Sequence, residues 1–137
     1  MKLGSTLYVK NSIEAVEIYK EAFGLTLGYN EKFPDGTFLH AALLKNNDEL
    51  FAVSESKDND VLVNILLKST MEKSRPTISL GIDFDNEEDI KKAYELLSKN
   101  GNVIYPLSPL PWSPLAADVV DKFGVYWYIS IQNNEKN

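Results

Sequence analysis

A chain of 137 residues, 44% hydrophobic and 25% charged, has room for one hydrophobic core or for two half-domains that share one. Its formal net charge of -6 excludes the basic face that nucleic acid or an anionic membrane would require. Cysteine is absent, which excludes a disulfide framework, a thiolate nucleophile and Cys-ligated zinc.

No window reaches the roughly 18 uninterrupted apolar residues of a membrane span. The opening stretch "MKLGSTLYVKNS" lacks a signal-peptide core, so the expectation is a cytoplasmic protein.

In chain order, "GSTLYV" (4–9) is a short β-rich run. "NSIEAVEIYKEAFG" (11–24) follows, with Ile13, Val16, Tyr19, Ala22 and Phe23 at helical spacing. Asn11 is placed to cap that helix, with Glu14 three residues on, and Gly24 is placed to stop it. "LTLGYNEKF" reads as a strand, "PDG" (34–36) as a turn, and 38–44 and 49–55 as two further strands. The first half is therefore β-α-β-β-β. Residues 57–76 form a linker whose apolar stretch "DVLVNILL" leaves room for a strand or a short helix.

The order then recurs. "TISLGIDF" (77–84) is a strand and "NEEDIKKAYELLSKNG" (86–101) a helix, capped by Asn86 and stopped by Gly101. "NVIYP" is a strand, "YPLSPLPWSPL" (105–115) a proline-laden loop, and "LAADVVD" with "GVYWYISI" a closing hairpin. Laid 76 residues apart, "HAALLKNNDELFAVS" (40–54) matches "AADVVDKFGVYWYIS" (116–130) in its apolar positions. A fixed offset across several elements indicates internal duplication. The predicted fold is α+β: two tandem βαβββ modules (4–56 and 77–132) forming a cupped mixed sheet within one domain, 1–137.

The strings "YVKNSIEAVEIYKEAFG", "FPDGTFLHAALLKNNDELFAVSE" and "DVVDKFGVYWYI" resemble the PhnB-like branch of the vicinal oxygen chelate superfamily, which includes glyoxalase I, bleomycin-resistance proteins and extradiol dioxygenases. The resemblance spans 5–132 and implies a cupped sheet enclosing a ligand or metal site, with homodimers common. Metal-binding members draw His and Glu ligands from the first and last strands of each module. Carried onto this chain, those positions fall near Gly4, Glu55, Thr77 and Tyr128, and only Glu55 keeps a ligand-type side chain. One carboxylate cannot hold a catalytic ion that needs about three protein ligands, so no metal and no cofactor are expected.

His40 is the only histidine. If the hairpin turns over "KNND" with Lys45 opposite Asp48, His40 faces Val53. Phe51 and Glu55 then share its face, with Glu55 a diagonal neighbour roughly 7–8 Å away at the backbone. Two readings of each polar residue stand. His40 is a hydrogen-bonded strand residue or a polar anchor and base; Glu55 contacts a ligand or opens the solvated run "ESKDND".

On the last strand Val125, Trp127, Ile129 and Ile131 make an apolar face, while Tyr126, Tyr128 and Ser130 make an amphipathic one. That second face fits a pocket wall or a dimer interface. Trp112, stiffened by prolines at 106, 109, 111 and 114, is either a lid or a plug. There is no G-x-S-x-G elbow, no phosphate loop and no G-x-G-x-x-G strand-loop-helix for adenosylmethionine.

The expected function is metal-independent binding of a small, partly apolar or aromatic molecule by a homodimer. His40, Phe51, Glu55, Trp112, Tyr126 and Tyr128 line the expected site, and no catalytic residue is named. The alternative is a metal-dependent glyoxalase-like lyase or dioxygenase using Glu55 and His40.

Overall fold

A computed structural model describes residues 1–58, 60–71 and 76–132. Its elements run β1 (Thr6–Val9), α1 (Ser12–Phe23), β2 (Thr26–Lys32), β3 (Phe38–Lys45), β4 (Asp48–Glu55) and α2 (Asp60–Met71). They continue as β5 (Leu80–Phe84), α3 (Glu87–Ser98), β6 (Asn102–Leu110), β7 (Ser113–Val120) and β8 (Tyr126–Ile131). The strands form two sheets of matching order, β1-β4-β3-β2 and β5-β8-β7-β6. In each, the first strand pairs parallel to the last and the other pairings are antiparallel. The tandem βαβββ modules are thus present, and the duplication extends to strand order.

Local chemistry places the helices as expected. Asn11 adopts a left-handed conformation (φ 63°), and its side-chain oxygen accepts from Glu14 N. Asn86 accepts from Asp89 N at 2.8 Å. Gly24 ends α1 at φ 64°, a left-handed stop in which glycine avoids the Cβ penalty. Gly101 serves a different purpose. The left-handed residue after α3 is Asn100, whereas a Cβ at Gly101 would lie 2.6 Å from the Val120 carbonyl oxygen. Gly101 is required by close approach of two backbones.

One assignment changes, and one left open between strand and helix is decided. The segment 105–115 is not a loop: Pro106 and Pro109 lie within β6, Pro114 near the start of β7, and Trp112 in the tight turn between them. β6 is the outer strand of its sheet and its register shifts repeatedly along β7, so missing N–H groups interrupt no essential ladder. The linker's apolar stretch is a helix, α2. Its Val61, Leu62, Val63, Ile65, Leu66, Leu67 and Met71 are 49–84% exposed.

One core serves both modules. α1 and α3 pack against each other and each covers the inner face of its own sheet. Across the junction, Trp127 of β8 meets Phe51 of β4, Tyr19 and Phe23 at ring-centroid distances of 5.6, 5.5 and 5.0 Å. Asp121, 4% exposed, lies at the same junction. Its Oδ2 accepts from Tyr19 OH (2.6 Å) and Trp127 Nε1 (2.8 Å), and its Oδ1 from the backbone of Phe123 and Val125. On the surface, Lys122 pairs with Glu14 of α1. Both inner faces are spent on this core.

Candidate functional site

The β3–β4 hairpin turns over Asn46 and Asn47, both left-handed (φ 52° and 68°), as a two-residue turn of the primed type requires. Lys45 does pair with Asp48. The pairing then slips: Leu44 opposes Glu49 but Leu43 opposes Phe51, leaving Leu50 as an extra, bulged residue. A one-residue slip exchanges faces. Phe51 and Val53 therefore point with Ala41 and Leu43 into the core, and His40 points the opposite way. The expectation that His40, Phe51 and Glu55 share a face is corrected by this bulge, which sends the bulkier β4 side chains inward.

Phe51 is 3% exposed and lies edge-on to Tyr19 and Phe23, so it belongs to the core and not to an open cup. Glu55 sits at the start of α1. Its two carboxylate oxygens accept from Ser12 N (2.8 Å) and Asn11 N (3.0 Å). Partial burial opposes its charge, but the hydrogen bonds from Ser12 and Asn11 outweigh that and hold its pKa below the ordinary glutamate value. A carboxylate at a helix N-terminus is a structural anchor. His40, half-buried on the outer face of the first sheet, opposes Glu31 and lies 6.0 Å from the Tyr29 ring, whose hydroxyl donates to Glu31. Among the described residues, no three His, Cys, Asp or Glu side chains are grouped to hold a metal ion. The donor set that a divalent ion needs is not assembled by Glu55 and His40.

The second sheet gathers the remaining candidates. On β8, Trp127 and Ile129 are fully buried toward the helices, while Tyr126 and Tyr128 are half-buried on the outer face. Alternation with a half-exposed outer face produces this division. β7 registers Asp118 against Tyr128, so its carboxylate joins the tyrosines, and Tyr126 OH donates to Asp118 Oδ2 at 3.1 Å. The tight β6–β7 turn swings Trp112 over the sheet, where its indole Nε1 donates to Tyr128 OH at 2.9 Å. Ser79, Ile104, Tyr105 and Leu110 complete an open cavity of about 460 Å³. Trp112, 52% exposed, stands at its rim.

The structure thus brings Trp112, Tyr126 and Tyr128 together. His40 lies on the other sheet, and Phe51 and Glu55 face inward. Asp118 and Tyr105 also line the cavity, and neither is among the residues expected from sequence. The β7–β8 pairing is the signal that finds Asp118, since its partner Tyr128 already belongs to the outer face. Tyr105 is masked by its neighbouring prolines, which make β6 look like a loop.

A protein-family model described as the Glyoxalase/Bleomycin resistance protein/Dioxygenase superfamily matches residues 3–129. Among solved structures, the chain is similar to a putative 3-demethylubiquinone-9 3-methyltransferase, PhnB protein, from Bacillus cereus. That match has a TM-score of 0.74, 22% identity, and covers 96% of this chain and 99% of the other. A protein from Pseudomonas aeruginosa matches with a TM-score of 0.70 and 20% identity, over 96% and 98% of the two chains. The fosfomycin resistance protein FosX from Listeria monocytogenes, complexed with Mn(II) and sulfate, matches with a TM-score of 0.63 and 11% identity, over 99% and 93%. A comparison with curated proteins finds no match. At these identities the structural likenesses show a shared fold.

Proposed function

Because the chain belongs to the Glyoxalase/Bleomycin resistance protein/Dioxygenase superfamily, we propose that it binds a small, partly aromatic organic molecule in the open cup of its second sheet, without a bound metal. The observation that carries this reading is the cavity wall. Tyr105, Trp112, Tyr126 and Tyr128 supply flat apolar surface, and hydroxyls and the Asp118 carboxylate supply a few polar contacts. A volume of about 460 Å³ falls within the range of cavities that hold such ligands. Tyr126 and Tyr128 form the floor and Trp112 the rim. The indole–hydroxyl bond between Trp112 and Tyr128 fixes two rings before any ligand arrives, which lowers the entropy lost on binding. The metal-free form is supported by the commitment of both Glu55 oxygens to the α1 backbone.

A thermal-shift screen of aromatic metabolites and antibiotics tests the reading. A ligand at 100 times its dissociation constant adds about 2.7 kcal/mol of stability. For a chain of this size that is a rise in Tm of roughly 10 °C. Tyr128→Ala removes a floor ring and the acceptor of the Trp112 indole, and is expected to weaken every hit at least tenfold. Hits whose affinity is unchanged by Tyr128→Ala overturn the placement of the site.

We further propose that the protein is a homodimer. The supporting observation is α2, whose exposed apolar side chains cover most of its circumference. A helix apolar on nearly all sides is ordinarily buried, and monomers rarely expose apolar patches beyond a few hundred Å². Pairing with a second copy about a two-fold axis covers the patch on both chains at once.

A further inference from the structure

We infer that Asn100–Gly101 is a site of spontaneous backbone modification, at which opening of the α3–β6 junction becomes an irreversible chemical change. The stretch "SKNGNV" (98–103) holds the sole Asn-Gly pair of the sequence. The geometry calls for each half of that pair separately. Asn100 follows α3 in the left-handed region (φ 58°), which asparagine tolerates better than most residues. Gly101 lies where a Cβ would stand 2.6 Å from Val120 O, 3.0 Å from Asp121 Cα and 3.0 Å from Leu97 O, so a side chain has no room.

The pair that the fold selects is also one that closes readily into a ring. The backbone nitrogen of Gly101, once deprotonated, attacks the side-chain carbonyl carbon of Asn100, and no Cβ on the attacking residue obstructs it. A new N–C bond forms, the C–N bond of the side-chain amide breaks, and the proton leaves with ammonia. Water then opens the resulting succinimide at either carbonyl, giving aspartate, or isoaspartate with the chain routed through the former side chain. In the folded protein Asn100 is exposed to water, but the Gly101 N–H donates to Ser98 O at 3.0 Å, which holds the proton on the attacking nitrogen. The reaction therefore waits for the last turn of α3 to open, as helix ends do locally. Isoaspartate lengthens the backbone by one atom between α3 and β6. A junction with no room for a Cβ accepts that atom only by displacing Val120 and Asp121. Asp121 is the carboxylate shared by Tyr19 and Trp127, so the damage reaches the core that joins the modules.

The full-length protein is incubated in mildly alkaline buffer, folded or unfolded in guanidinium chloride, and Asn100 is followed by peptide mapping and mass spectrometry. Conversion is expected at least tenfold faster in the unfolded chain, with isoaspartate among the products. After refolding, the converted protein is expected to unfold at a lower denaturant midpoint than the parent. Asn100→Gly keeps the left-handed backbone and removes the reacting amide. It is expected to fold as the parent does and, after the same unfolded incubation and refolding, to keep its midpoint. Equal conversion rates in the folded and unfolded protein overturn the gating by the fold. Conversion of another asparagine ahead of Asn100 in guanidinium chloride overturns the site. A converted protein as stable as the parent, or an Asn100→Gly variant that loses stability as fast as the parent, overturns the link to the core.

Discussion

Asp121 is a buried carboxylate whose four hydrogen-bond donors come from two modules: Tyr19 from the first, and Trp127, Phe123 and Val125 from the second. A buried charge is tolerated when its lone pairs are satisfied, and the damage comes from removing one side of such a network. Asp121→Ala strands the Tyr19 hydroxyl and the Trp127 indole, each at about 1–3 kcal/mol. The expected loss in urea unfolding is therefore roughly 2–6 kcal/mol. Tyr19 itself has its pKa raised far above the ordinary phenol value, first by burial and then by the Asp121 charge. In the unfolded chain it titrates near pH 10. Below that pH both states hold the proton and the contribution to stability is complete. Above about pH 10 the unfolded chain releases a proton that the folded chain keeps, so stability falls by up to about 1.4 kcal/mol per pH unit. Tyr19→Phe is expected to remove that part of the alkaline slope, read as the difference between the two proteins' unfolding free energies across roughly pH 9–12. An identical slope in both would show that Tyr19 is not held protonated.

Among the secondary-structure elements, the two hairpins show how turns and packing divide the work. The turn at Asn46–Asn47 is a local property, since two adjacent left-handed residues select a primed turn. The bulge at Leu50 is not local; it is decided by which strand face buries more apolar surface against Tyr19 and Trp127. The junction of α3 and β6 supplies a sharper test. A Cβ on Gly101 would stand 2.6 Å from Val120 O and 3.0 Å from Asp121 Cα, so any side chain there must push the β7 end outward. Gly101→Ala is expected to cost about 1–3 kcal/mol, the range typical of overpacking, even though alanine is the better residue for ordinary backbone. Gly36→Ala faces open space but a φ of 89°, and its cost comes from conformational strain alone. A Gly101→Ala variant as stable as the parent in urea unfolding would contradict the close approach.

For the molecule as a whole, both sheets spend their inner faces on one shared core, and the described side chains of α2 are exposed. The second-sheet face holds the cavity, while α2 carries a run of exposed apolar side chains. Sedimentation equilibrium is expected to give a dimer at micromolar concentration. Val61→Asp combined with Ile65→Asp places two charges one helical turn apart on α2 and is expected to shift the protein to monomer without lowering its Tm by more than a few degrees. A parent protein that is monomeric at the same concentration would refute the dimer.

Module order, the helix caps at Asn11 and Asn86, the turn over Asn46–Asn47 and the two faces of β8 were all legible in the residues alone. Each of these depends on neighbours in the chain: side-chain oxygens reaching nearby N–H groups, residues that tolerate positive φ, and a strict two-residue alternation. The shared outer face of Tyr126 and Tyr128 in the candidate site was legible too, because they alternate with buried residues, and Trp112 was singled out by the prolines around it. The remainder came from packing between distant segments. The Leu50 bulge turned Phe51 and Glu55 away from His40, because burying Phe51 against Trp127 outweighs an unbroken ladder. The edge position of β6 let prolines sit in a strand, which brought Tyr105 to the cavity. Pairing of β7 with β8 delivered Asp118 to the tyrosines. Local chemistry chooses conformations one residue at a time, whereas register, edges and burial are settled only when distant strands compete for the same core.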